Sequence, residues 1–243
     1  MAIDELYASE IRGETGLFAT WVPNTPLEIG HYGPMRGALF QPMKQLTGLK
    51  TVTGTGTANY DFTINATRKI NTSANALADA GLSKGKALLE VSFQKEAGVT
   101  FSAPETRVTR VDDILALGQQ LIAKLNAGQW DEKHGIVIEV VTAPRVTIIT
   151  SIKSGAEVKF AVEANTSINV NVMANLSATN SLIVEKGVGV KVIGEGPLNP
   201  LFRLAYLKTH LFKDPDIQYR GPGGDEKPQQ EVRISDEYSV VTY

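Results

Sequence analysis

The sequence contains no cysteine, which excludes disulfides, thiolate metal sites, cysteine nucleophiles and S-acylation. Basic residues are not in excess, since 24 Lys and Arg stand against 26 Asp and Glu. The clustered positive charge that a phosphate backbone demands is therefore missing, and nucleic acid is not an expected partner. No stretch approaches the roughly 20 apolar residues of a membrane-spanning helix. The opening residues MAIDELYASEIRGE carry acidic side chains where a secretory signal needs a basic start and an apolar run, so export is not expected. On that expectation the sequons at Asn65, Asn71, Asn165 and Asn175 stay unglycosylated.

Patterns for catalysis and metal binding are also scarce. His31, His134 and His210 lie far apart in no ligand spacing, so no metal site is expected. Gly187, Gly189, Gly194 and Gly196 match neither the dinucleotide nor the Walker spacing and read as strand and turn glycines. The acidic pairs Asp112–Asp113, Asp131–Glu132 and Asp225–Glu226 are sequence neighbours rather than acid/base couples, and helix capping explains the first. No nucleophile of the strand–turn–helix type is present. The expectation is a protein that is not an enzyme and takes no cofactor.

What is present is long alternation. In residues 57–78 the apolar side falls on even positions, Tyr60, Phe62, Ile64, Ala66, Ile70, Ala74 and Ala76, against Asn59, Asp61, Thr63, Asn65, Asn71, Ser73 and Asn75. After a turn at residues 79–86, Leu89, Val91, Phe93, Ala97, Val99 and Phe101 alternate with Glu90, Ser92, Gln94, Glu96 and Thr100, completing one long hairpin. A second hairpin runs through residues 158–174, with Val158, Phe160, Val162, Ala164, Ile168, Val170 and Val172 on one side. It turns near residues 175–180 and returns through Leu182, Val184, Val188, Val190 and Val192 on one face. Between the hairpins, residues 135–154 form a continuous apolar run, the mark of a central strand buried on both faces.

Helical periodicity is confined to two places. Ile3, Leu6, Tyr7 and Ile11 precede Gly13 and Gly16, and Ile114, Leu117, Leu121 and Leu125 follow the capping Asp112 and Asp113 and end before Gly128. Short strands are expected at residues 17–22 and 27–32, then a segment at 36–46 carrying Lys44, and a strand or short helix at 201–212. Residues 221–230 (GPGGDEKPQQ) read as a flexible linker. In the closing EVRISDEYSVVTY, Val232, Ile234, Tyr238 and Val240 share even positions, as an added strand, a segment in an apolar groove or a frayed end. Together these features predict a single α+β domain dominated by long antiparallel strands, with two long amphipathic hairpins. Residues 1–220 form the domain, and 221–243 the linker and tail.

An amphipathic hairpin has two uses. It can lie as ordinary sheet with one face on the core and one wet. Alternatively, it can cross a bilayer, since these strands reach the roughly 9–11 residues required and their polar faces are rich in Asn, Ser and Thr. Two hairpins cannot close a pore alone because unpaired edges are not tolerated in lipid, but a ring of subunits can.

The stretch 113–160, read as DILALGQQLIAKL and then HGIVIEVVTAPRVTIITSIKSGAEVKF, resembles the part of gasdermins where a helix precedes an apolar central strand and a polar-alternating hairpin. The likeness continues through residues 182–192 into GPLNPLFRLAYLK, and residues 21–46, ending in RGALFQPMKQL, resemble the family's early strands and loop. It is a likeness of order, spacing and hydrophobic pattern over most of residues 1–213.

This resemblance implies the α+β fold of a gasdermin pore-forming domain, a twisted, mainly antiparallel central sheet with surrounding helices and two long amphipathic hairpins. It also implies a cell-death effector that oligomerises on membranes and refolds the two hairpins into a transmembrane β-barrel. The inserting faces would be Tyr60, Phe62, Ile64, Leu89, Val91, Phe93, Val158, Phe160, Val162, Ile168, Val170, Val172, Leu182, Val184, Val188 and Val190. The implied partners are acidic membrane lipids, further copies of the chain or a related variant, and an activating protease. The chain would be cytoplasmic when inactive and at the cell membrane when assembled. The opening helix departs from the family, with Asp4, Glu5, Glu10 and Glu14 against a lone Arg12. Lipid contact is therefore expected from Arg36, Lys44, Lys50, Arg203, Lys208 and Lys213. With only about 30 residues after Lys213, the chain is expected to be similar to the short fungal and bacterial members, whereas large animal members carry a separate inhibitory domain. The alternative from another class is a non-enzymatic structural or binding β-rich assembly protein.

Overall fold

Helix α1 (Ile3–Thr15) forms over the first apolar stripe and stops at Gly16, which adopts a left-handed conformation (φ 69°) and donates its N–H to the Arg12 carbonyl. This computed structural model describes residues 2–83, 85–164, 173, 176, 182–209, 230–234 and 238–243. After α1 come the short strands β1 (Phe18–Ala19), β2 (His31–Gly33), β3 (Met35–Arg36), β4 (Leu39–Phe40), β5 (Lys44–Gln45) and β6 (Thr51–Thr53). They are shorter than the strands expected over residues 17–22 and 27–32, and they divide the 36–46 segment. Pro23, Pro26, Pro34 and Pro42 interrupt the region, and a residue without an N–H cannot continue a ladder.

The long elements follow as β7 (Ala58–Ile64), β8 (Ala66–Asn71), α2 (Ala74–Asp79), β9 (Lys86–Phe93), β10 (Gly98–Val111) and α3 (Ile114–Asn126). Then come β11 (Gly135–Ser151), β12 (Glu157–Glu163), β13 (Leu182–Lys186), β14 (Val188–Thr209), β15 (Gln230–Arg233) and β16 (Tyr238–Thr242). The strand expected to run to residue 78 ends at Asn71, and Ala74 and Ala76 belong to α2. Ser73 caps that helix by accepting from the Ala76 N–H (3.3 Å), and the following Ala and Leu residues favour it. In α3, Asp113 rather than Asp112 is the cap, accepting from the Ala116 N–H (2.9 Å).

One sheet has the order β15-β16-β14-β11-β10-β6, with β7 pairing β10 beyond the stretch taken by β6. A second has the order β13-β12-β9-β8, and the pairing throughout is antiparallel. The first sheet packs Val99, Phe101, Val146 and Ile148 against Tyr7 and Ile11 of α1. Towards its other end, Ile136, Leu207 and Val240 meet Leu117 and Leu121 of α3. Each such fully buried side chain contributes about 1.5–3 kcal/mol.

The expectation of a strand or helix at 201–212 resolves as strand, because β14 continues to Thr209; Phe212 is outside the described residues. The closing segment joins the first sheet, with β16 pairing β14 from Ala205 to Thr209, and Val240, Val241 and Tyr243 are fully buried. Of the stretch read as a linker, Gln230 begins β15, while residues 221–229 are outside the described residues.

Candidate functional site

The two sheets are made from the same two hairpins. In the first hairpin β7 pairs β10 and β8 pairs β9; in the second β11 pairs β14 and β12 pairs β13. The hairpins also lie side by side, through β10 with β11 and β9 with β12. Four strands therefore cross from one sheet into the other, and all four bend along one line. Each crossing contains a left-handed residue: Asn65 (φ 52°), Ala97 (φ 62°), Gly155 (φ 73°) and Gly187 (φ 67°). Such residues break the extended pleat and re-aim the chain.

Neighbouring strands stay bonded through the bend. The Gln94 N–H donates to the Asn65 carbonyl (3.0 Å), the Phe93 N–H to the Ala156 carbonyl (2.9 Å), and the Ser151 hydroxyl to the Gly187 carbonyl (3.1 Å). Ala97 is the strained member, because a left-handed conformation costs an L-residue about 1–2 kcal/mol. Ala97→Gly is expected to relieve this, less glycine's own entropic cost, for a net gain of about 0.5–1 kcal/mol. Chemical denaturation should show a higher midpoint at unchanged slope.

The bend also exchanges faces. Tyr60, Phe62 and Ile64 pack in the cluster around α1, whereas Ala66 and Ile70, of the same parity, belong to a second cluster with Leu89, Val91, Phe93, Val158 and Phe160. That second cluster includes Ile149 and Ile193, whose neighbours Ile148 and Val192 pack in the α1 cluster. The second sheet thus lays its apolar face on the side of the first sheet opposite α1. This side includes Thr100, which the alternation placed on the polar face. Thr100 is fully buried, as are Ser102 and Thr147, and the Thr147 hydroxyl donates to the Met173 carbonyl (3.1 Å).

The residues expected on the inserting faces divide by burial. Leu89, Val91, Phe93, Val158, Phe160 and Val162 are buried in the second cluster. Tyr60, Phe62 and Ile64 are half-buried, and Phe62 stacks on Phe101 with ring centres 5.1 Å apart. Val188 and Val190 are half-buried, and Leu182 is 42% exposed. Leu182 and Val184 do not share a face as expected: Leu182 is opposite Phe160 and Val184 opposite Lys159, because the register slips between those partners. Ile168, Val170 and Val172, and the turn placed at 175–180, are outside the described residues apart from Leu176.

The expected lipid-contacting cations divide as well. Arg36, Lys44 and Lys50 are exposed and form no ion pair among the described residues. Beside Lys44, Met43 is 64% exposed, an apolar tip that the sequence pattern does not distinguish from a core methionine. Arg203 pairs with Glu139 (3.4 Å) and Lys208 with Glu231 (3.3 Å), so their charges are compensated. Near the first pair the Tyr60 phenol is pushed up by burial and by the Glu139 carboxylate, against the lowering effect of Arg203. Lys213 is outside the described residues.

His31 accepts the Glu28 N–H (3.0 Å), His134 lies against Tyr32 and Trp130, and His210 is outside the described residues. Among the described residues no three His, Asp or Glu side chains gather as metal ligands, and no helix is long and apolar enough to cross a membrane. Among known proteins, no family model and no curated sequence matches this chain.

Proposed function

We propose that this chain is a pore-forming cell-death effector of gasdermin type, which binds acidic membranes, oligomerises and straightens its two bent hairpins into a transmembrane β-barrel. One observation carries the reading: four adjacent strands bend together, and most of their halves are too short for a bilayer. β7 has 7 residues, β8 has 6, β9 has 8, β12 has 7 and β13 has 5. A crossing strand needs about 9–11. Joined end to end across the bend, each strand exceeds that length with its pairing partners already in place. Among the described residues β8 and β13 are the outer strands of the second sheet, so further copies of the chain, or a related variant, would extend the antiparallel array until it closes. The α+β fold, rich in antiparallel strands and with few helices among the described residues, is also in keeping with a gasdermin-like fold.

The test is dye release from neutral and anionic vesicles, with intact and partly proteolysed protein. Release from the anionic set supports the proposal. Silence under all four conditions would instead favour a structural or binding β-rich assembly protein. Membrane contact is assigned first to Arg36, Lys44 and Lys50. A cation near an acidic surface gains about 1 kcal/mol, so reversing all three to Glu should weaken binding to anionic vesicles by roughly a hundredfold or more. High salt should mimic the loss. Unchanged sedimentation with vesicles at low salt would show these residues to be ordinary solvated surface.

A further inference from the structure

We infer that the bend is held by two ion-pair clasps, one on each outermost strand, and that their release sets the threshold at which the hairpins straighten; this rests on the pore-forming reading. Arg68 Nη1 lies 2.5 Å from Asp61 Oδ1, and Lys191 Nζ lies 2.7 Å from Glu185 Oε2. In each pair the two residues belong to one continuous strand on opposite sides of its bend. Asp61 is on β7 and Arg68 on β8, with Asn65 between; Glu185 is on β13 and Lys191 on β14, with Gly187 between. In an extended strand, residues six or seven apart are separated by about 20–23 Å, so neither contact survives straightening.

Both clasps also lie on the side of the second apolar cluster. Asp61 alternates with Tyr60 and Phe62, which face α1, while Arg68 is opposite Val91. Glu185 is opposite Val158 and Lys191 opposite Ile149, with Lys191 Nζ 6.0 Å from the centre of the Phe160 ring. The strand orders place β7–β8 at one flank of the four bent strands and β13–β14 at the other. Among the described residues the two pairs thus stand at the two flanks of the four bent strands, beside the cluster. Arg68 is also the one charged residue at an even position between Tyr60 and Ile70, so the break in the apolar alternation is the residue that closes a clasp.

A control pair exists within the second sheet. Lys86 and Glu163 are cross-strand partners on β9 and β12, and straightening keeps them together.

The experiment compares the parent with Asp61→Asn, Glu185→Gln, both together, and the control Glu163→Gln. Two readouts are taken: the protein concentration giving half-maximal dye release from anionic vesicles, and amide exchange of the protein in solution. Each clasp variant should lower the release threshold about two- to fivefold, and the pair should do so multiplicatively. Exchange at Asn65, residues 94–97 and Gly187 should quicken by similar factors and stay parental in α3. Asp61→Arg combined with Arg68→Asp should return both readouts towards the parent. Clasp variants that release dye and exchange like Glu163→Gln overturn the inference. If the parent releases no dye, the pore-forming reading falls and exchange alone decides the clasps: faster exchange confined to the bend supports them, and parental exchange overturns them.

Discussion

A chain ending at Arg220 should lose its cooperative fold. On sequence grounds residues 221–243 are a linker and a tail, and a removable tail would suit a latch. In the fold, Val240 packs against Leu117 and Leu121 of α3, while Val241 and Tyr243 pack with Phe202, Leu204 and Tyr206. Three fully buried apolar side chains at about 1.5–3 kcal/mol each amount to about 5–9 kcal/mol, against a typical net stability of about 5–15 kcal/mol. Their removal also leaves the β14 stretch Ala205 to Thr209 without its β16 partner. Chemical denaturation should show a broad transition or none, with aggregation. A truncated chain that unfolds cooperatively near the parental midpoint would show β16 to be an accessory strand, and stronger dye release from such a chain would restore the latch.

Leu182→Glu should abolish dye release while leaving the fold intact. Placing charges at Val91 or Phe160 cannot test insertion, because both are fully buried and the folded state would fail first. Leu182 separates the two effects. It is 42% exposed, so a carboxylate there remains hydrated and should change stability by no more than about 0.5 kcal/mol. It is also opposite Phe160 in register, on the face that would meet lipid once the strands straighten, where a charge at mid-bilayer costs about 2–4 kcal/mol. The same charge at Thr67, opposite Ser92 on the other face, should leave release near the parental level. Parental release by a folded Leu182→Glu protein would mean that β13 does not enter the bilayer.

The first hairpin and the β12–β13 part of the second were legible because alternation is local, whereas β11, read as a separate central strand, is continued by β12 as part of the second hairpin. Val91 and Phe93 pack together for the same reason that they share parity in the sequence. Helix α3 was legible for a similar reason, since a capping Asp113 and an apolar stripe act within a few residues of each other. The short strands before β7 were less legible, because closely spaced prolines leave the neighbouring structure to set where pairing starts and stops. The pairing of the clasps was not legible: Arg68 breaks the apolar alternation, but opposite charges seven apart, as at Asp61 and Arg68, meet in neither a helix nor an extended strand.

The amino-acid sequence by itself determined the α+β class, the antiparallel pairing of long strands, the parity of their apolar faces and the absence of thiol chemistry. Each depends on composition or on a period of two or 3.6 residues. Only the tertiary structure decided that all four strands bend on one line, and that the apolar face changes sides there. It also decided that the Thr100 side is dry and that the closing segment is a strand of the main sheet. Ala97 shows why. Nothing in the local preference of an alanine selects a left-handed conformation, and it is held there because the strands on either side have already paired and the second cluster has closed beneath them.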